Sequence, residues 1–127
     1  MRGPKRDTTD RRGAAEARGR AAEERVAARL QAEGWALLAR RFRSGVGEID
    51  LIMERDGLLA FIEVKARSQL SEAAAALTPR QQARLLAAAE AWLAAHPGHG
   101  AAGMRFDLLL VDAAGKLRRI ADAFRGG

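Results

Sequence analysis

The sequence predicts an α/β fold in which helices pack on a mixed β-sheet, and three observations lead to this prediction. Two alanine-rich stretches have helical periodicity, one before and one after a group of apolar strands. Asp56-Gly57 separates two apolar runs, which is the strongest short-range signal of a β-hairpin. Arg105 to Asp112 is a further apolar strand. The predicted order is therefore helix, three strands, helix, strand and a short last strand.

The first helix is predicted over Arg11 to Glu33, because alanine and straight-chain charged residues dominate this stretch. Gly34 is suited to end it as a C-terminal cap. Residues 1–10 are polar, and we expect them to form a flexible N-terminus. The remaining residues, 11–127, are predicted to form a single domain.

Glu23 is a candidate functional residue because of its position on this helix. By helical spacing it shares a face with the apolar stripe Ala22, Val26, Ala27 and Leu30. A carboxylate on the buried face of a helix needs a partner. The alternative is that Glu23 lies at the margin of the stripe and reaches an arginine.

A first strand is predicted from Trp35 to Phe42, followed by a turn at Ser44 to Gly47. A basic cluster lies at the end of this strand, beside the hairpin, and consists of Arg40, Arg41 and Arg43. Arginines next to an acidic site would suit a phosphodiester substrate, because guanidinium groups bind phosphate oxygens. The alternative is a solvated rim that binds nothing.

The hairpin extends from Gly47 to Lys65 around a tight turn. Its register puts Asp50 opposite Glu63, and Glu48 opposite Lys65. Because side chains alternate along a strand, one face is predicted to carry Glu48, Asp50 and Ile52 with Phe61, Glu63 and Lys65. The other face, which we expect to be core, carries Ile49, Leu51 and Met53 with Ile62 and Val64.

The opposed carboxylates of Asp50 and Glu63 are the main anomaly. Their β-carbons are expected roughly 4.5–5.5 Å apart, and like charges in that arrangement destabilise a sheet. A bound cation is the simplest compensation, since hard divalent cations prefer carboxylate oxygens. Lys65 lies about 7 Å beyond Glu63 along the strand and can serve the same site. The alternative is an ion pair between Glu48 and Lys65 with the other two carboxylates solvated. The apolar flanking runs favour the metal site.

The second half of the chain supplies supporting elements. Residues 68–77, which follow Arg67, are predicted to form a loop or a short irregular helix. A second helix starts with Thr78 as N-cap and Pro79 in the first helical position. Its apolar face is predicted to be Leu85, Leu86, Ala89, Trp92 and Leu93. Gln82 borders this face and could orient a water or a phosphate, although capping is the simpler interpretation.

His96 and His99 lie in a Pro/Gly loop, and we interpret them as loop residues rather than metal ligands. Lys116 to Phe124 is predicted to form the last strand or an irregular segment.

Composition narrows the classes of function. The net charge of +6 over 127 residues is typical of a protein that binds phosphate backbones, although coding bias alone could produce it. The absence of cysteine excludes disulfides and thiolate metal sites, and the absence of tyrosine disfavours base-stacking platforms. We find neither a membrane-spanning run nor a signal-peptide pattern, so we expect a cytoplasmic location and no membrane partner.

Two motifs carry a resemblance to known families. Asp50, followed thirteen residues later by Glu63-Val64-Lys65, resembles the PD-(D/E)xK pattern of the restriction-endonuclease-like superfamily, with Ile49 where that pattern has proline. Over about residues 16–125 the chain resembles more closely the uncharacterised bacterial YraN-type family. The matching stretches are Gly47 to Ile52, Phe61 to Lys65, Glu23, Arg105 to Asp107 and Asp122 to Phe124.

This resemblance implies an αβββαβ nuclease core, similar to that of archaeal Holliday-junction resolvases. The residues it implies for the catalytic centre are Glu23, Asp50, Glu63 and Lys65. Asp50 and Glu63 would hold Mg²⁺ or Mn²⁺, with the carbonyl of Val64 as a third ligand and Glu23 binding through water. Glu48 and Gln82 are accessory positions, and nucleic acid would contact Arg40, Arg41, Arg43 and Arg67. Junction resolvases act as dimers, so the resemblance is compatible with a homodimer.

Three functions are therefore compatible with the sequence. The first is a metal-dependent nuclease that acts on nucleic acid. DNA is favoured over RNA as its substrate, and branched DNA is one candidate. The second is a nucleic-acid-binding module that keeps the nuclease fold without turnover. The third is a protein-interaction domain whose basic face meets an acidic partner. The intact Asp50, Glu63 and Lys65 favour the first. Departures from the family pattern at Ala22, Ala66 and Gln81 affect expected substrate contacts more than metal chemistry.

Overall fold

The structure is a computed structural model that describes residues 19–66 and 78–124 of the chain. The predicted flexible segment 1–10, the loop predicted over residues 68–77, and Arg67 lie outside the described residues. Neither helix in the described ranges combines the length and the apolar character that a membrane span requires.

Helix α1 is described over residues 19–32 and ends as the sequence predicts. Gly34 has a φ of 99°, a conformation that glycine adopts without steric cost. The N–H of Gly34 donates to the Gln31 carbonyl and that of Trp35 to the Leu30 carbonyl, both at 3.0 Å. These two hydrogen bonds form a Schellman motif, which satisfies the last helical carbonyls and turns the chain into the sheet.

Five strands form one sheet, and their order in space follows their order in the chain. They are β1 (Ala36–Ser44), β2 (Gly47–Arg55), β3 (Leu58–Ala66), β4 (Gly103–Val111) and β5 (Leu117–Phe124). Helix α2 (Pro79–Ala95) connects β3 to β4, and this pair alone is parallel while the other three pairs are antiparallel. The predicted α/β fold with a mixed sheet is confirmed. The first strand starts one residue later than predicted and continues through Ser44.

The β2–β3 hairpin has the predicted register. The ladder runs from Arg55 opposite Leu58 to Leu51 opposite Ile62. Asp56 and Gly57 both have positive φ, 52° and 80°, as a type I′ turn requires. The turn dipeptide therefore fixes which residues of β2 and β3 meet.

Apolar clusters cover both faces of the sheet. The cluster under α1 joins the helical residues Ala22, Val26, Ala27 and Leu30 to Leu51, Met53, Ala60 and Ile62. The cluster under α2 joins Leu85, Ala88, Ala89 and Trp92 to Ile49, Ile52, Leu59, Phe61 and Phe106. The face predicted to carry Asp50 and Glu63 therefore also contains core residues, among them the fully buried Ile52 and Phe61.

Ile49 does not share a face with Leu51 as predicted. It packs with Ile52 under α2, whereas Leu51 packs under α1. Arg40 pairs with Leu51 and Phe42 with Ile49, so Arg41 is the residue of β1 across from Asp50. Arg41 has a φ of 51°, which a regular strand does not allow. The sequence prediction assumed that side chains of β2 alternate strictly between the two faces of the sheet. This alternation is interrupted at Asp50.

Helix α2 begins with the predicted cap. The hydroxyl of Thr78 accepts from the N–H of Gln81 at 3.2 Å, and the side chain of Gln81 accepts from the Thr78 N–H at 3.0 Å. This reciprocal pair is a capping box, and Pro79 occupies the first turn. The capping considered for Gln82 is performed by Gln81. Gln82 is half-buried, and its N–H donates to the Thr78 carbonyl at 2.9 Å.

The close approach of α2 to β2 depends on Gly47. A Cβ at this residue would overlap the backbone carbonyl of Arg84. We expect Gly47→Ala to lower the free energy of unfolding by about 1–3 kcal/mol, because α2 or β2 must shift. Urea denaturation followed by circular dichroism measures this change.

Gly45 provides the matched control for this substitution. It lies two residues away, a methyl group added to it would meet no atom within 4 Å, and its backbone is not in the left-handed region. Gly45→Ala should be neutral or stabilising by up to about 1 kcal/mol. Equal effects of the two substitutions would contradict the packing described for Gly47.

Candidate functional site

The candidate site lies where the β2–β3 ladder ends. One residue beyond Leu51, the Oδ2 atom of Asp50 accepts a hydrogen bond from the N–H of Val64 at 2.8 Å. A side-chain carboxylate thus takes the position of a backbone acceptor between the strands. The hydrogen bond holds Asp50 beside β3 in a half-buried position.

Asp50 and Glu63 form a carboxyl pair, as the register predicted. Burial, then a hydrogen bond between the two side chains, and then their mutual repulsion raise the pKa of Asp50 to about 8. The hydrogen bond from the Val64 N–H and the charge of Lys65 lower the pKa of Asp50, but their effect is smaller than that of the three causes that raise it. Near neutral pH the carboxyl pair therefore holds a proton, which is one way to bring two acidic groups together.

Lys65 interacts with Glu63 on the same strand. Its Nζ lies 3.5 Å from Glu63 Oε2, and the two side chains are only 17% and 16% exposed. The alternative ion pair between Glu48 and Lys65 is not formed. Glu48 pairs instead with Arg43 of β1 at 3.3 Å, where both side chains are largely exposed. Glu48 thus turns away from the carboxyl pair and toward the sheet edge.

Glu23 takes the partner that the sequence left open, an arginine. The Nε of Arg41 donates to Glu23 Oε1 at 2.8 Å, and the Glu23 side chain is 14% exposed. The hydrogen bond to Glu23 is the largest cause of a raised Arg41 pKa, and the charges of Asp50 and Glu48 add to it. Arg41 is therefore a link between α1 and the carboxyl pair rather than a free rim residue.

The positive φ of Arg41 is an energetically unfavourable backbone conformation. A left-handed conformation costs a residue with a Cβ roughly 1–2 kcal/mol relative to glycine, and such residues concentrate at functional sites. At Arg41 this conformation coincides with the interruption of side-chain alternation opposite Asp50. The backbone of β1 thus departs from regular strand geometry at the position that faces the carboxyl pair.

The donor atoms of this site are compatible with a hard divalent cation. Asp50 and Glu63 supply two carboxylates, and Mg²⁺ usually binds through one or two carboxylates while it keeps several waters. Within residues 19–66 and 78–124, no three acidic or histidine side chains converge as a metal site would need. Glu23, the third predicted acidic residue, is hydrogen-bonded to Arg41. Val64 contacts Asp50 through its N–H, and its carbonyl remains a predicted ligand.

The other predicted contacts lie around the site or outside the described residues. Arg40 is exposed on β1, and the Arg43 side chain is 73% exposed despite its pair with Glu48. Together with Arg41 they form a basic edge along β1, which is an edge strand of the sheet. Arg67 cannot be placed, because it lies outside the described residues.

Two polar arrangements were missed from the sequence. Glu54 on β2 accepts from the Gly100 N–H at 2.8 Å and lies 2.9 Å from His99 Nδ1, and these contacts hold the Glu54 pKa below its ordinary value. Asp107, fully buried on β4, accepts from Arg105 and Arg119. The only sequence signal for the second arrangement was a charged residue inside an apolar strand.

Comparisons with known proteins agree with the predicted resemblance. A family model described as Uncharacterised protein family UPF0102 matches residues 22–111. A UPF0102 protein of Granulibacter bethesdensis is 59% identical over 103 residues, which cover 80% of this chain and 65% of that protein. One of Rhodopseudomonas palustris is 53% identical over 110 residues, with 87% and 84% covered. One of Bradyrhizobium is 50% identical over 121 residues, with 95% and 86% covered.

These matches confirm the resemblance to the YraN-type family. The names of the relatives give the family and no activity. The chain spans slightly less than two thirds of the Granulibacter protein and most of the other two relatives.

The raised pKa of Asp50 predicts a pH-dependent effect of Asp50→Asn. The folded pKa of about 8 lies above the ordinary value, so this group's stabilisation is full below about pH 4 and is lost as the pH rises through 8. Asparagine mimics the protonated acid and does not titrate. With chelator present, the stability advantage of Asp50→Asn should grow by on the order of 1 kcal/mol per pH unit between about pH 5 and pH 8.

Glu48→Gln is the matched control, because it removes one carboxylate from an exposed position on the same strand. Thermal melts of both variants and the wild type over this pH range measure the effect. Parallel curves for wild type and Asp50→Asn would show that Asp50 is an ordinary ionised carboxylate.

Proposed function

We propose that this chain, which belongs to the uncharacterised protein family UPF0102, is a metal-dependent nuclease that hydrolyses phosphodiester bonds of nucleic acid, DNA more than RNA. The observation that carries the proposal is the carboxyl pair of Asp50 and Glu63 at the end of the β2–β3 ladder, with Lys65 beside it. Because this pair holds a proton near neutral pH, it lowers the stability of the fold there, and a bound cation would offset that cost.

Asp50 and Glu63 are the residues that would hold Mg²⁺ or Mn²⁺, with the Val64 carbonyl as a further ligand, and Glu23, which is bound to Arg41, would act through water. When bound, such a cation activates water at neutral pH and stabilises charge on a phosphoryl oxygen. The Val64 N–H fixes the direction of the Asp50 carboxylate before any ligand arrives, because it occupies Oδ2 at 2.8 Å. The carboxyl pair would lose its proton if a cation bound, since the shared proton and the cation compete for the same oxygens.

Lys65 supplies a positive charge in contact with the carboxyl pair. Its ammonium contacts Glu63 at 3.5 Å and remains partly exposed. From that position it can stabilise negative charge that develops on a phosphate lying against the pair. Arg41, held by Glu23, places a second cation on the β1 side of Asp50. The exposed Arg40 and Arg43 extend the positive charge along the edge strand, where they would contact the substrate backbone.

A cleavage assay tests the proposal directly. Branched, duplex and single-stranded DNA, and single-stranded RNA, are incubated with the protein and Mn²⁺, Mg²⁺ or chelator. We expect cleavage of at least one DNA substrate with metal, and loss of about 100-fold or more in Asp50→Asn and in Lys65→Met. Glu90→Gln, an exposed carboxylate on α2, is the control and should cleave like wild type.

The two alternative functions give different results with the same substrates. Salt-sensitive DNA binding without cleavage under any metal condition would identify a binding module, because phosphate contacts release counterions. The absence of nucleic-acid binding at low salt would leave the protein-interaction domain. Metal-dependent cleavage that survives Asp50→Asn would place the active centre elsewhere in the chain.

A further inference from the structure

A second polar pocket lies at the opposite end of β2 from the carboxyl pair. We propose that it binds a phosphate monoester, carried by a free nucleotide or by the phosphorylated end of a nucleic acid. The pocket, here called the Trp35 pocket, is lined by Trp35, Arg55, Asp56, Leu58, Arg105 and Arg119. Arg55 lies five residues from Asp50 along the strand, roughly 17 Å at the rise of a β-strand. The proposal is therefore independent of the proposed nuclease activity.

The dimensions of the Trp35 pocket are compatible with a small ligand. Its volume is about 370 Å³, at the lower end of the roughly 300–1,000 Å³ typical of small-molecule sites. Its walls come from separate parts of the chain: the residue directly before β1, the hairpin turn with its flanking residues, β4 and β5. The parallel β3–β4 pairing places Arg105 beside Ala60, near the hairpin turn. The backbone of Arg119 pairs with Leu109 farther along β4, and its side chain reaches back to Asp107 and to the Trp35 ring.

Three guanidinium groups converge on one indole ring. The Cζ atoms of Arg105, Arg119 and Arg55 lie 5.2, 5.5 and 5.8 Å from the centroid of Trp35. The ring attracts each cation through its quadrupole, but it cannot neutralise their charge. Three cations around one ring repel each other, so the arrangement depends on nearby anions.

Only one of the three carboxylates near these arginines is buried with them. Asp107, with no exposed side-chain surface, accepts from Arg105 at 3.2 Å and from Arg119 at 3.1 Å. The strongest contact of Arg55 is with a neutral group, the carbonyl of Glu33, at 3.0 Å. The ion pairs of Arg119 with the Glu33 carboxylate and of Arg55 with Asp56 are long, both 3.8 Å. These last two carboxylates are solvent-accessible, and water screens them.

Of the carboxylates near the three guanidinium groups, only Asp107 is buried with them, so the pocket presents three forked donors with one buried counterion. A phosphate monoester carries about −1.5 to −2 charges at pH 7 and presents three acceptor oxygens, which suits three forked donors. A phosphodiester or a carboxylate presents two unesterified oxygens and one negative charge, and engages fewer of these donors. The indole N–H of Trp35 is buried and finds no acceptor among the described residues, so the pocket is rich in donors and poor in acceptors.

Nuclear magnetic resonance of the two tryptophan indole N–H groups tests the proposal. Trp92 lies in the cluster under α2 and serves as an internal reference, and Trp35→Phe assigns the signals. The protein in chelator is titrated with inorganic phosphate, AMP, and an oligonucleotide with a 5′-phosphate or a 5′-hydroxyl. We expect a saturable shift of the Trp35 signal with phosphate-monoester probes and a constant Trp92 signal. Saturation by AMP indicates a nucleotide site, and saturation by the phosphorylated oligonucleotide alone indicates an end-binding site.

The variants separate specific binding from a general effect of charge. Arg55→Gln removes one guanidinium whose strongest partner is a carbonyl, so the fold should persist. Affinity should fall about tenfold, the value of one charge-assisted hydrogen bond. Arg118→Gln makes the same charge change at an exposed neighbour on β5 and should leave affinity unchanged. No saturable Trp35 shift, equal shifts with the 5′-hydroxyl oligonucleotide, or equal weakening in both variants would overturn the proposal.

Discussion

The interaction on which the candidate site depends is the contact between the carboxyl groups of Asp50 and Glu63. Burial of Asp50 beside a second acid raises its pKa to about 8, so the two carboxyl groups share a proton near neutral pH. The surrounding groups are arranged in relation to this pair. The Val64 N–H orients Asp50, Lys65 lies against Glu63, and Arg41 contributes positive charge from β1. Either a proton or a cation can compensate the repulsion between the two carboxylates. Which of the two is bound depends on pH and on metal concentration.

The fold holds this pair in place through two rigid supports. The hairpin turn at Asp56-Gly57 sets the register of β2 and β3, and apolar clusters under both helices prevent a shift of that register. A shift by one residue would exchange the faces of all side chains in a strand and expose the core. The carboxyl pair therefore lies at the end of a strand pair whose register is fixed. Such a fixed register suits a site that needs its ligands in set positions.

Local chemistry made much of the fold predictable. Gly34 ends α1 in a Schellman motif, Thr78 caps α2, and Asp56-Gly57 turns the hairpin, because each feature depends on residues within a few positions of one another. The meeting of Asp50 and Glu63 followed from the turn alone. The displacement of Ile49 did not, because it coincides with a left-handed backbone at Arg41 on a neighbouring strand. The partner of Glu23 and the Trp35 pocket also depend on contacts between distant segments, which periodicity does not specify.

The most direct test of the account is the effect of Mn²⁺ on the unfolding free energy of the wild type and of Asp50→Asn at pH 7. A cation that binds only the folded site should stabilise the wild type by about 2.7 kcal/mol at a hundred times its dissociation constant. Asp50→Asn should lose most of this gain while remaining at least as stable as the wild type in chelator. If Mn²⁺ leaves the wild type unchanged and Asp50→Asn is markedly less stable without metal, Asp50 is a structural residue and the metal site does not exist.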